Sequence, residues 1–269
     1  MPIRIACLQT TGTPSDVGAN LDELAQAAGE AHSNGADLLI TPEMFLTGYN
    51  VGADLPRLAA SNLVGPVRVM AERLGIAILF GVPEQVDDGI YNSAVLVDDT
   101  GGVVAQYRKS HLFSDVDRSQ FLAGDEPFEM VELRDVKIAI LICYDVEFPE
   151  VVRAAALQGA HLIAVPTAQM EPFAFIAEQV VRTRAWENQV YVAYVNHDGA
   201  EGDLSYVGRS SIVAPDATVL DAVERGNRLI YATVDPDVVH AQQISNPYLD
   251  DRRPALYHHL TVQGSSDDI

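Results

Sequence analysis

The sequence is poor in cysteine and in positive charge, and each shortage excludes a class of protein. Two cysteines, Cys7 and Cys143, among 269 residues cannot form a disulfide framework. We therefore expect free thiols and a cytoplasmic protein. Lys and Arg total 17 against 38 Asp and Glu, which gives a net charge of −21. Binding to nucleic acid or to an anionic membrane needs cationic contacts, so we expect neither partner.

Long hydrophobic runs are also missing. The sequence contains no stretch of about 20 apolar residues that could span a bilayer. The N-terminus, MPIRIACLQT, lacks the charged and then apolar pattern of a signal peptide. A content of 48% hydrophobic and 20% charged residues is typical of a globular protein. Because no Gly/Ser-rich linker divides the chain, we expect one domain over residues 1–269, with residues 236–269 as a C-terminal tail.

Short apolar runs alternate with amphipathic stretches along the chain, which predicts a sheet covered by helices. Strands are predicted at residues 3–8, 37–41, 77–82, 92–97, 103–107, 136–143, 162–165, 190–196, 210–213 and 229–234. Helices are predicted at residues 20–34, 66–74, 149–158 and 173–188. Asn20, with Glu23 three residues later, is the predicted N-cap of the first helix, and Gly35 ends that helix.

One internal similarity suggests a doubled architecture. The segment GADLLITP at residues 35–42 resembles GAHLIAVP at residues 159–166, each with a helix-ending glycine, a buried strand and a proline. Two related halves would explain the similarity. Chance is the alternative, because junctions of this kind are built from few residue types.

Cys143 lies at the end of a predicted buried strand, where a helix follows. Such a turn can present backbone N–H groups and the positive end of a helix to a thiolate, which favours nucleophilic attack. The alternative for any cysteine is a buried structural thiol, and we assign Cys7 of the first strand to that class.

Glu43 and Lys109 also follow predicted buried strands. Glu43 is flanked by apolar residues, and desolvation of its charge would raise its pKa and suit it to proton transfer near neutral pH. Lys109 offers a fixed positive charge for a developing oxyanion. Taken singly, a Pro-Glu pair is more often a turn, and an Arg-Lys pair is more often solvated surface.

Together these segments closely resemble the nitrilase superfamily of carbon–nitrogen hydrolases, in its amidase-like branch. The resemblance covers nearly the whole chain. Its motifs are the Pro-Glu turn at Glu43, Tyr-Arg-Lys-Ser-His-Leu around Lys109, Ile-Cys-Tyr-Asp with Phe-Pro-Glu after Cys143, Gly-Tyr-Asn at 48–50, Tyr-Asn-Ser at 91–93 and Arg-Ala-Trp-Glu-Asn at 184–188.

The resemblance implies a four-layer αββα sandwich of two mixed sheets flanked by helices, and a catalytic triad of Glu43, Lys109 and Cys143. No step of its chemistry needs a metal or an organic cofactor. Many members have a second glutamate before a Phe-x-x-Gly stretch, and alignment on residues 121–124 puts Asp117 there. Aspartate is one methylene shorter, so its bond to lysine or substrate could be longer, run through water or be absent. A plain loop carboxylate is the alternative.

The implied reaction is hydrolysis of a small amide to a carboxylic acid and ammonia through a thioester on Cys143. The backbone N–H of Tyr144 joins Lys109 at the oxyanion. Relatives that act on amides of dicarboxylic acids often carry an arginine where this chain has Glu147, so we expect neutral or cationic substrates. Residues 167–175 are further candidates for the pocket wall, with Gln169, Met170 and Phe173 facing the substrate, and Tyr49 and Phe45 are a second pair. Core packing is the alternative for Met170, Phe173 and that second pair.

Other functions remain open at this point. An N-carbamoyl hydrolase or a nitrilase would use the same triad, and a non-catalytic binding or scaffolding protein would keep only the fold. Members of the superfamily commonly form homodimers or larger homo-oligomers. The resemblance therefore implies self-association here, through residues 149–158 and 246–259.

Overall fold

Two mixed six-stranded sheets pack face to face in the computed structural model, which describes residues 1–87 and 89–261. The strands are β1 (Ile3–Gln9), β2 (Leu38–Ile40), β3 (Ala77–Val86), β4 (Gly89–Val97), β5 (Val103–Arg108), β6 (Glu129–Leu133), β7 (Val136–Ile140), β8 (Leu162–Thr167), β9 (Tyr191–Asn196), β10 (Ala200–Glu201), β11 (Leu204–Ser205), β12 (Ser210–Val213), β13 (Val219–Val223) and β14 (Arg228–Val234). The sheet orders are β14-β1-β2-β3-β4-β5 and β13-β12-β9-β8-β7-β6, and β10 pairs with β11.

Helices cover the outer face of each sheet. The α-helices are α1 (Val17–Ser33), α2 (Leu55–Ala59), α3 (Val64–Leu74), α4 (Ser114–Arg118), α5 (Pro149–Leu157), α6 (Val181–Asn188) and α7 (Pro236–Ser245). A π-helical turn, Ile176–Val180, precedes α6, and short 3-10 helices form at Gly52–Asp54, Cys143–Glu147, Pro254–Leu256 and His258–Thr261. No helix in residues 1–87 and 89–261 is both long enough and apolar enough to cross a membrane.

Alternation along the strands builds three apolar layers, because successive side chains of a strand point to opposite faces. In β1, Ile3 and Ile5 face the layer between the two sheets, which also contains Ile138 and Ile140 of β7. Ala6 faces the other way, into the layer that packs the first sheet against α1 and α3. A third layer packs the second sheet against α5 and α6. The predicted αββα sandwich is thus confirmed.

The two similar segments occupy equivalent positions in the two sheets. β2 is the middle of three parallel strands, β1, β2 and β3, and β8 is the middle of β7, β8 and β9. In both sheets, two further strands, each antiparallel to its neighbour, lie on one side of the three parallel strands. A single antiparallel strand lies on the other side. This shared topology favours two related halves over chance.

Some boundaries differ from the sequence-based expectation. The first helix begins at Val17, and its N-cap is Asp16, whose carboxylate accepts a hydrogen bond from Ala19 N at 3.0 Å. Asn20 is instead buried inside the helix, where its side chain bonds the backbone of Thr13 and Leu46. Residues 236–245 of the expected tail form α7, which has Asp235 as its N-cap.

Candidate active site

Cys143 lies just after β7, the strand next to the edge strand β6 of the second sheet. β7 ends at Ile140, earlier than predicted, and Cys143 begins a 3-10 helix with a φ of 48°. Left-handed backbone is strained for a residue with a side chain and is often found at functional sites. The carboxylate of Asp145 stabilises this turn by accepting a hydrogen bond from Ile142 N at 3.0 Å.

Asp145 also connects the cysteine turn, through hydrogen bonds, to the segment that carries Lys109. Its buried carboxylate accepts hydrogen bonds from Tyr107 OH at 2.9 Å and from His111 N at 3.0 Å. Tyr107 and His111 lie on either side of Lys109 in the sequence. The aspartate of the Cys-Tyr-Asp motif therefore fixes Lys109 relative to Cys143.

Glu43 follows β2 and is held from the opposite sheet. Its backbone N–H donates to Thr167 O of β8 at 3.3 Å, and its carbonyl accepts from His197 Nε2 at 2.7 Å. β3 passes so close that a Cβ on Gly81 would lie 2.2 Å from Met44 N, which only glycine avoids. The two sheets together thus fix the backbone that carries the Glu43 carboxylate.

Lys109 is completely buried between two carboxylates. Its ammonium lies 2.8 Å from Glu43 Oε1 and 2.7 Å from Asp117 Oδ2. Asp117 also accepts hydrogen bonds from Tyr49 OH at 2.8 Å and from Phe113 N at 2.8 Å. The shorter aspartate therefore reaches lysine directly, without an intervening water.

Burial and charge shift the pKa values of this cluster. Burial raises the pKa of Glu43, and nearby Lys109 only partly opposes that rise. Burial alone would lower the pKa of Lys109, but the surrounding acidic groups, Glu43 foremost and Asp117 among the others, together outweigh burial and raise the pKa well above the usual range. Lys109 is therefore a permanent cation, whereas the raised pKa of Glu43 suits its carboxyl group to accept and return a proton.

The Cys143 thiol is in the same electrostatic environment. Burial and the Glu43 carboxylate raise its pKa well above the ordinary value, and Lys109 partly opposes them. The resting side chain is therefore a thiol, and a nucleophilic role would require it to lose that proton. Its sulfur lies 3.7 Å from Gln169 Oε1.

A small pocket opens above Cys143. Its cavity volume is about 10 Å³, which is room for about one water molecule. Its walls contain each of the residues that the sequence suggested for substrate contact, except Phe45: they are Tyr49, Tyr144, Glu147, Gln169, Met170 and Phe173. Glu43, Lys109 and Asp117 are buried and are not among the lining residues.

Phe45 does not line the pocket, because it packs in the layer between the first sheet and its helices. Ala168, within the suggested segment 167–175, also lines the pocket, and so does Phe113, which the sequence analysis did not suggest. Phe113 makes edge-to-face contacts with Tyr144 and Phe173, at ring separations of 5.3 Å and 5.7 Å. Its position four residues after Lys109 was the available signal.

Two histidines near this site have structural partners. His111 stacks on Phe148 at a ring separation of 4.1 Å and lies 2.8 Å from Asp145, and His197 contacts the backbone of Glu43. Within residues 1–87 and 89–261, no group of three or more His, Cys, Asp or Glu side chains is arranged to hold a metal ion. Proton transfer and nucleophilic attack are the chemistry that this arrangement offers.

Comparison with known proteins gives consistent matches over the whole fold. The sequence model of the carbon-nitrogen hydrolase family matches residues 4–243. The chain is 46% identical over 264 residues to a hydrolase encoded in the pqqF 5' region of Pseudomonas protegens, covering 96% of this chain and 92% of that one. It is 34% identical over 259 residues to an (R)-stereoselective amidase from Pseudomonas sp., covering 94% and 93% respectively.

Solved structures of an amidase from Nesterenkonia sp. AN1 are also similar. Two variants of that amidase match at 33% identity with TM-scores of 0.87 and 0.86, covering 96% of this chain and 96% of theirs. One carries the acetamide moiety of fluoroacetamide on its active-site cysteine, and the other is a complex with butyramide.

Proposed function

The chain belongs to the carbon-nitrogen hydrolase family, and on that basis we propose that it is a thiol amidohydrolase for small neutral amides. The products are a carboxylic acid and ammonia. The main support is that Cys143, in a left-handed turn at the base of a small pocket, shares its electrostatic environment with the buried Glu43–Lys109 pair. The similar amidase from Nesterenkonia sp. AN1 carries the acetamide moiety of fluoroacetamide on its active-site cysteine in one variant and is in complex with butyramide in another.

The reaction proceeds in two halves. Glu43 takes the proton of the Cys143 thiol as sulfur attacks the amide carbon, and the oxyanion is stabilised by Lys109 and the Tyr144 N–H. The C–N bond then breaks, and Glu43 gives the proton to the departing ammonia. Water attacks the thioester, Glu43 takes a proton from that water, and the C–S bond breaks to release the acid and restore the thiol.

Pocket size and charge support the substrate class. The pocket is narrow, which favours a short aliphatic or a compact aromatic acyl group. Phe113, Met170 and Phe173 give apolar walls, and Glu147 is the acidic residue among the lining side chains. An acyl chain that ends in a carboxylate would meet a like charge there.

Ammonia release tests this proposal. The wild type and Cys143→Ala are compared on short neutral amides, an amide with a carboxylate arm, a nitrile and a ureido compound. We expect the neutral amides to be the best substrates and the alanine variant to be inactive. Higher rates with the nitrile or the ureido compound would contradict the substrate class. No reaction by a folded wild type would favour the non-catalytic hypothesis.

We also propose that the protein is a homodimer or a larger homo-oligomer. Support comes from a groove between α5 and the C-terminal segment, lined in part by Leu157, Tyr257 and Leu260, each of which is substantially exposed. Self-association would bury this apolar surface. Light scattering should give a mass above the 29.1 kDa of one chain, and a monomeric mass would contradict the proposal.

A further inference from the structure

Asn92 contacts both partners of the buried ion pair. It lies on β4 and is completely buried. Its side-chain Nδ2 donates to Glu43 Oε1 at 2.7 Å, and its backbone carbonyl accepts from Lys109 N at 2.9 Å. The Tyr-Asn-Ser motif at residues 91–93, which the mechanism above does not use, thus places one residue against two catalytic candidates.

The two oxygens of the Glu43 carboxylate differ in their partners. Oε1 accepts hydrogen bonds from both Lys109 and Asn92. Oε2 is buried and has no hydrogen-bond partner among the described residues. Buried polar atoms without partners are rare and often belong to functional sites. Because Oε1 already receives two donors, Oε2 is the oxygen with lone pairs available for a proton.

Lys109 alone would not maintain this difference. An ammonium is a compact point charge that can bind either carboxylate oxygen equally well. The last side-chain torsion of a glutamate also has no sharply preferred angle, so the carboxylate can rotate. The Asn92 amide adds direction. The reverse amide orientation would place its Oδ1 against Glu43 Oε1, two acceptors in contact, so the charge of Glu43 fixes which way the amide points.

We infer that Asn92 is a positioning residue for the reaction, which holds Glu43 Oε1 so that proton exchange with Cys143, ammonia and water takes place at Oε2. This inference rests on the proposed role of Glu43 as the base. Removing Asn92 leaves the carboxylate to turn about its last torsion, so the thiol meets a correctly placed oxygen for a smaller fraction of time.

Asn92→Ala and Asn92→Asp test the inference by kinetics across pH. We expect kcat of Asn92→Ala to fall about 10²-fold with KM changed by less than about threefold, because the bound substrate is not contacted. The acidic limb of kcat/KM should move to higher pH, because the Asn92 hydrogen bond lowers the pKa of Glu43. Asn92→Asp should move it further, since a second carboxylate then faces Oε1.

Ser93→Ala is the matched control. Ser93 is the next residue of β4, and its hydroxyl donates to Glu84 Oε2 at 2.7 Å, away from the site. The Ser93→Ala variant loses one side-chain hydrogen bond, as Asn92→Ala does, but the pH profile of Ser93→Ala should equal that of the wild type. Thermal unfolding identifies folded variants, and the isosteric Asn92→Asp decides the test if Asn92→Ala does not fold.

Two results have distinct meanings. If the folded Asn92 variants have wild-type rates and pH profiles while Glu43→Gln and Cys143→Ala are inactive, the role of Asn92 is overturned and the proposed function is not. Wild-type ammonia release by Glu43→Gln would overturn the proposed function, and the inference with it.

Discussion

The Asp117 carboxylate contacts the Lys109 ammonium at 2.7 Å, so one buried cation is shared between Asp117 and Glu43. The missing methylene relative to the glutamate of many relatives does not break this contact. Tyr49 OH binds the other oxygen of Asp117, and Phe113 N binds the same oxygen that Lys109 does. Asp117 is thereby fixed on three sides and in turn orients the ammonium.

Loss of the Asp117 charge should impair catalysis. We expect Asp117→Asn to lower kcat/KM about 10²-fold, because the Lys109 ammonium loses the partner that directs it. Tyr49→Phe should give a smaller loss, since it removes one hydrogen bond and leaves both charges. Steady-state ammonia release measures both. Asp115→Asn, at an exposed position of the same short helix, is the control, and an equal loss there would contradict a specific role for Asp117.

Removal of the shared cation should destabilise the fold in a pH-dependent way. Lys109→Met leaves two carboxylates buried without a counter-ion, which costs about 3–5 kcal/mol in the free energy of unfolding. Burial already raises the pKa of Glu43, and loss of Lys109 raises it further. When the pKa of a carboxyl group is higher in the folded protein than in the unfolded chain, the free energy of unfolding decreases as pH rises from the unfolded pKa to the folded pKa.

The stability difference between Lys109→Met and wild type should therefore be smallest near pH 4 and grow through neutral pH. Urea unfolding at about pH 5 and about pH 8 measures it. The control is Lys137→Met, because Lys137 is the other lysine and is exposed. A difference that stays constant or shrinks with rising pH would show that the buried carboxylates are not its cause.

Charge selectivity should depend on pH through Glu147. This side chain lines the pocket, and burial raises its pKa to about 7 against opposition from Arg184 and Lys109. Its carboxylate therefore forms as pH rises through neutral. We compare kcat/KM for an amide with an ammonium on its acyl chain with kcat/KM for a neutral isostere. As pH rises through neutral, the ratio of the first to the second should increase by about fivefold.

Glu147→Gln should abolish that increase. Glu150→Gln should preserve it, since Glu150 is exposed and lies outside the pocket. A ratio that does not change with pH in the wild type, or one that still increases in Glu147→Gln, would exclude Glu147 as the determinant of charge selectivity.

The central strands were predictable from sequence because their burial is continuous. Residues 136–140 and 162–167 carry uninterrupted or nearly uninterrupted apolar runs, which have few alternatives to a buried strand. The edge strands β6 and β13 were missed, because most of their side chains are partly or fully exposed and give no clear pattern. The helix α7 was missed despite a readable signal, an Asp-Pro pair at its N-cap and first position.

Part of the candidate site could not be derived from sequence. The positions of Glu43, Lys109 and Cys143 after buried strands suggested three reactive groups, but not the direct Asp117 contact or the different partners of the two Glu43 oxygens. Those features depend on residues 49, 92 and 113 meeting from separate segments of the chain. Sequence spacing carries no information about such distances.

Intact-mass spectrometry of the enzyme quenched with acid during turnover of a short neutral amide tests the central claim most directly. We expect a mass increase equal to the acyl group, located on Cys143 by peptide mapping, in the wild type and in Cys7→Ala. Cys7 is buried within β1, and burial raises the pKa of its thiol far above the ordinary value. Ammonia release at the wild-type rate by Cys143→Ala, or an acyl group on another residue, would contradict the account.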